Sequence, residues 1–196
     1  MCEKMSNFAS EKGIPCIMTP AEYIQLKAFA RVDGALLALL WTVSFACYVA
    51  GIAQPLYAIA ALLLMVATPF FVGKRLRRFR DESLGGFISM LRGWAFVILV
   101  FFYGGILLAL VQYVYFAYID QGYLLASFTT AIQAPENKQV IEAYGMQQAV
   151  DESLTMMSTM RPIDYALNVL TMNITIGIII GLPIAALLQK KCVKKV

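Results

Sequence analysis

Four apolar runs, each long enough to cross a bilayer, are set along this chain, and the charges lie outside them. The runs occupy residues 34–53 (GALLALLWTVSFACYVAGIA), 55–73 (PLYAIAALLLMVATPFFVG), 93–116 (GWAFVILVFFYGGILLALVQYVYF) and 165–188 (YALNVLTMNITIGIIIGLPIAALL). A hydrocarbon core about 30 Å thick takes about 20 residues of α-helix, and none of the four runs contains Asp, Glu, Lys or Arg. Without water, a spanning segment must satisfy its own backbone, which leaves helices or a closed barrel. Runs this long predict an all-α fold, a four-helix transmembrane bundle. Only Gln54 separates the first two spans, so they form a tight hairpin, and Pro55 suits the first turn of the second. Pro69 and Pro183 lie inside their spans and are expected to kink them.

The segments between the spans carry patterns of their own. In residues 1–33, Thr19-Pro20-Ala21-Glu22 reads as a helix start with a reciprocal cap. The helix would run through Tyr23, Ile24, Leu26 and Phe29 toward the first span, with Lys27 and Arg31 within reach of lipid phosphates. It is either an interfacial approach helix or a plain cytosolic extension. The loop 117–164 is too long for a bare connection and reads as three short helices. Leu125, Phe128 and Ile132 have helical spacing. Pro135-Glu136 opens a second helix that Gly145 can end. A third, from about Met146 to Met160, carries an apolar stripe of Met146, Val150, Leu154 and Met157. That stripe belongs either to a lid or to a partner-docking surface, methionine being common on adaptable binding faces. Residues 189–196 form a basic tail.

Composition agrees with the pattern. Apolar residues make up 60% of the 196 and charged residues 14%, where a soluble domain has about 45–50% and about 25%. Such a balance excludes a disordered chain and a nucleic-acid-binding module, and no nucleic-acid partner is expected. The charges then set a direction. Residues 74–92 hold six basic groups against Asp81 and Glu82, the loop 117–164 holds Lys138 and Arg161 against six acids, and the tail holds Lys190, Lys191, Lys194 and Lys195. Basic excess marks the cytoplasmic side. The expectation is both termini inside, with the short-helix loop extracytoplasmic. No cleavable signal is expected, since residues 1–19 lack an apolar core.

Candidate chemistry is sparse. There is no histidine, which removes the commonest general base and metal ligand, and no cofactor or metal is expected. Cys2, Cys16, Cys47 and Cys192 form no zinc pattern and read as free thiols. Lys74, Arg75, Arg77, Arg78 and Arg80 are candidates for anionic-lipid contact. They equally serve to enforce topology, and Asp81 and Glu82 can pair with them. Gly85-Gly86 permits a turn, the entry at Ile88, Leu91 and Trp94 reads as shallow in the interface, and Arg92 is expected to snorkel to the headgroups. In the fourth span Asn173, Gly177, Gly181 and Ala185 recur every four residues and form a close-approach face. That face is either a packing seam within the bundle or a homodimer seam. Asn168, Thr171 and Thr175 add polar atoms to the same helix. The tyrosines at 113, 115, 118 and 123 read as an aromatic belt.

Three linked stretches carry a resemblance. They are Arg78-Phe79-Arg80-Asp81-Glu82 with Gly85-Gly86-Phe87-Ile88-Ser89, then Tyr113-Val114-Tyr115-Phe116, then Ile119-Asp120. Together they resemble the bacterial integral-membrane family known as domain of unknown function 4199, whose members share an "RD…GG.IS" run before the third span and a "YxYF…ID" run after it. The chain departs from the pattern at Gln121, where members often have Pro. The resemblance implies a four-span protein of a bacterial inner membrane and supplies no catalytic residue. Three functions are weighed. The first is a non-enzymatic protein that binds a membrane-protein partner or a second copy, or organises an envelope complex. The second is a small oligomeric channel or transporter using Asn168, Thr171, Asn173 and Thr175. The third, a lipid-acting enzyme built on Asp81, Glu82 and Ser89, lacks an accompanying base, nucleophile elbow or ligand set.

Overall fold

A computed structural model describes residues 19–190. Cys2, Cys16, Cys192 and the last three lysines lie outside these described residues. Among the described residues the fold is all-α, with a single isolated antiparallel bridge between Ile88 and Lys190 and no strand. Helix α1 spans Pro20–Gly51, α2 Pro55–Arg78, α3 Met90–Val114, α4 Tyr123–Gln133, α5 Pro135–Ala143, α6 Gln147–Thr159 and α7 Pro162–Leu188. Turns of π-helix at Phe79–Ser83 and Tyr115–Ile119 extend α2 and α3. Helices α1, α2, α3 and α7 are long and apolar enough to cross a membrane, so the chain is a multi-pass membrane protein.

The reciprocal cap forms as its spacing predicts: the Thr19 amide donates to Glu22 Oε2 at 3.0 Å and the Glu22 amide to Thr19 Oγ1 at 3.4 Å. From there α1 runs unbroken through Asp33-Gly34, so the approach segment and the first span are one helix. The loop helices α4, α5 and α6 fall where the sequence places them, with Gly145 at φ 63° behind α5.

The chain divides into two compact units. Among the described residues, one comprises those from 19 to Ala38, Val66–Gly104 and those from Asn173 to 190. Its core is built on α3. The Phe79 ring stacks on Phe96 at 4.8 Å and meets Phe29 at 5.3 Å. Gly34 lets α1 approach Tyr103, and Gly177 lets α7 approach Phe101.

The second unit comprises Leu39–Met65 and Gly105–Met172. Here Ser44 Oγ donates to the Ala61 carbonyl at 3.0 Å and ties α1 to α2. Phe45 meets Tyr115 edge-on at 5.1 Å, and Phe116 stacks on Tyr165 at 4.5 Å. The buried Asp120 carboxylate accepts the amides of Gly122 and Leu124, both at 3.2 Å, and so starts α4. The turn passes through Gln121 at φ 43°. Proline, fixed near −65°, could not take that conformation, so a Pro at this position requires a different turn.

Candidate functional site: a charged cluster in the first unit

The basic run after the second span is built inward as well as outward. Asp33, on α1 one residue before the apolar run, is 2% exposed and receives Arg75 from α2 through Nε at 2.6 Å and through Nη2. A buried carboxylate is costly unless paired, and the guanidinium fork supplies two donors. The π-turn adds a residue to the turn after α2, and Phe79 and Arg80 are both buried there. Arg80, 6% exposed, holds both oxygens of Asp81 at 2.7 and 3.1 Å and donates through Nη1 to the Leu188 carbonyl at 3.0 Å. That carbonyl belongs to the last turn of α7, one of the orphan acceptors every helix end leaves. The link between α2 and α3 adds a second tether. Gly85 and Gly86 take φ of 65° and 89°, the Gly86 amide donates to the Arg80 carbonyl at 3.0 Å, and Ile88 exchanges two 3.1 Å hydrogen bonds with Lys190. Both glycines are needed because the chain enters the left-handed region twice in succession.

Arg92 completes the cluster. Its Nη1 donates to Glu22 Oε1 at 3.1 Å, and its guanidinium carbon lies 6.0 Å from the Phe79 ring centre. Nε and Nη2 are buried without a partner among the described residues. The same helix sends Trp94 Nε1 to the Ile178 carbonyl at 3.0 Å. Between them these bonds tie α1 to α2, α1 to α3, and α7 to both α2 and α3.

This placement changes several sequence expectations. Arg75 and Arg80 turn inward, because buried Asp33 and the α7 carbonyl claim them, so their guanidinium groups are not presented to lipid. Arg92 does not snorkel; Glu22 and Phe79 hold it in place. Ile88 is buried and bridged to Lys190, while Leu91 is exposed. Lys27 lies over the Tyr23 ring of its own helix and Arg31 over Tyr103. Arg78 pairs with Glu82 at 2.9 Å on the surface, while Lys74 and Arg77 are exposed.

The four small or polar positions of the fourth span also find places. Gly177 faces Phe101, Gly181 faces Trp94 and Val97, and Ala185 faces Gly93, all on α3, while Asn173 is half-buried. Asn168, Thr171 and Thr175 are exposed on α7. In the second unit Val150, Leu154 and Met157 are half-buried and Met146 is exposed. The Met157 carbonyl accepts from the Tyr165 hydroxyl at 2.7 Å.

Sequence reasoning missed Asp33 and gave Gln112, at the end of the third span, no role of its own. Both are buried, and the Gln112 Oε1 has no hydrogen-bond partner among the described residues. Asp33 was discoverable: it and Arg75 each lie 21 residues from Gln54 at the hairpin tip, which sets them at one level. Gln112 carries no such signal.

Compared with known proteins, residues 33–190 match the family model described as "Protein of unknown function (DUF4199)". No curated protein and no solved structure matches the chain.

Proposed function

We propose that this chain, which belongs to the DUF4199 family of proteins of unknown function, is a non-enzymatic membrane protein. Its loop helices dock another membrane protein or a second copy, and so organise an envelope complex. In this reading it sits in a bacterial inner membrane with both termini in the cytoplasm and residues 117–164 outside, as the basic excess at 74–92 and the acidic loop suggest.

One observation carries the docking role. Helices α5 and α6 and their connection expose large apolar side chains on an otherwise polar surface. Tyr144 is 76% exposed, Met156 60%, Val140 54% and Met146 49%. Large apolar side chains exposed outside the spanning runs are where a protein contact is expected, aromatic residues and Met being enriched there. The apolar stripe read from sequence serves as the underside, since Val150, Leu154 and Met157 are half-buried. Tyr144 and Met156, the most exposed of these side chains, are the partner contacts in this reading.

The test is a photo-crosslinking amino acid placed at Tyr144 or Met156 in cells, followed by mass spectrometry of the adducts. A discrete protein adduct, whether a different chain or a second copy, is expected at both sites and absent from a control at Leu62. Recovery of unmodified monomer alone, or of adducts equal to the control, overturns the reading.

A further inference from the structure

The second unit holds a groove of about 620 Å³ between the α1–α2 hairpin and α4, within the range of small-molecule sites. Tyr48, Gly51, Ile52 and Ala58 form one wall. The other comes mainly from a single face of α4, since Tyr123, Ala126, Ser127, Thr130 and Ala131 recur at the spacing of one helical stripe. No lining side chain carries a charge. The polar atoms are hydroxyls, and that of Thr130 is already spent as a donor on the Ala126 carbonyl at 2.9 Å. Gly51 lets the two helices of that wall approach closely, since a Cβ there would lie 2.7 Å from the Ala58 nitrogen.

We propose that this groove seats one acyl chain of a membrane lipid, with the tyrosine hydroxyls available to its ester linkage. The occupant follows from what the groove joins. Tyr48 and Ile52 are themselves exposed, and the chain runs on into exposed Leu56, Tyr57 and Ile59 on α2. That is the surface a multi-pass protein presents to hydrocarbon, so the groove opens onto lipid. A slot takes a flexible alkyl chain more readily than it takes the flat area of about 800 Å² per partner that a stable protein contact needs. Uncharged walls suit the chain and linkage region of a lipid, and tyrosines belong at that depth. The inference does not depend on the docking role of α5 and α6.

The test reconstitutes the full chain in phosphatidylcholine–phosphatidylglycerol vesicles doped with a phospholipid carrying a diazirine in its acyl tail. Adducts are mapped after illumination. Labelling of residues 48–58 and 123–131 is expected to exceed that of the open α2 face at 62–66 severalfold. Ala126→Trp and, separately, Ala131→Phe fill the groove. Each is expected to abolish that excess while leaving 62–66 labelled as before, and an unchanged melting midpoint in detergent reports that the variant has folded. Three results overturn the proposal: equal labelling of groove and open face, an excess that survives both substitutions, or crosslinking of the groove to a protein instead of lipid.

Discussion

Asp33 and Arg75 show how a membrane protein can keep charge near its apolar runs. Removing one partner of a buried pair leaves the other uncompensated and costs about 3–5 kcal/mol, whereas replacing both by apolar groups of similar volume is often neutral or better. Asp33→Asn is therefore expected to lower thermal stability in detergent sharply, and the double change Asp33→Leu with Arg75→Met to recover most of it. A thermal melt of the three proteins decides the matter; a double variant as weak as the single one would show that the pair does more than neutralise itself. The basic run was legible as a cluster, but its direction was not. Residue type gives the charge of Arg75 and Arg80, while the π-turn that aims Arg80 at the Leu188 carbonyl has no sequence marker. Lys74 and Arg77, with nothing buried to claim them, stay where the composition put them.

Among the helices, α7 and α3 meet along a face that the four-residue spacing announced, and the structure adds a gradient of tightness. A Cβ on Gly177 would fall 2.6 Å from the Phe101 Cβ, an atom fixed to the backbone, whereas one on Gly181 would fall 3.0 Å from the Trp94 ring edge. Overpacking costs about 1–3 kcal/mol. Gly177→Ala is expected to destabilise toward the top of that range and Gly181→Ala toward the bottom, read as unfolding midpoints in a mixed-micelle denaturation series. Equal effects, or the reverse order, would mean that α7 does not press on α3 as described. The family motifs also resolve into fastenings. Arg80 and Ile88 bind the link before α3 to the end of α7, Gly86 closes the turn onto the Arg80 carbonyl, and Asp120 starts the first loop helix. Spacing reveals helices well because 3.6-residue periodicity is local; it is blind to which carbonyl a distant arginine will meet.

For the whole molecule, the proposed orientation makes a direct prediction. A single cysteine replacing Glu142, in a background freed of the native cysteines, is expected to react with a membrane-impermeant maleimide on intact spheroplasts. One replacing Arg77 is expected to react only after permeabilisation. The opposite pattern would invert the topology. The number of crossings was legible from the sequence, since apolar length is a bulk property. The division into two units was not, because both draw on all four long helices and each boundary falls inside a continuous helix.

Arg80 and the carbonyl that satisfies it are separated by 108 residues. At about 5–20 residues per second, the ribosome needs roughly 5–20 s to make the second after the first. During that delay the third long helix and then the fourth are made while the guanidinium lacks its remote acceptor, so Leu188 acts as the closing stitch of biogenesis. Polypeptides halted before it carry an unclosed seam at the end of the fourth long helix.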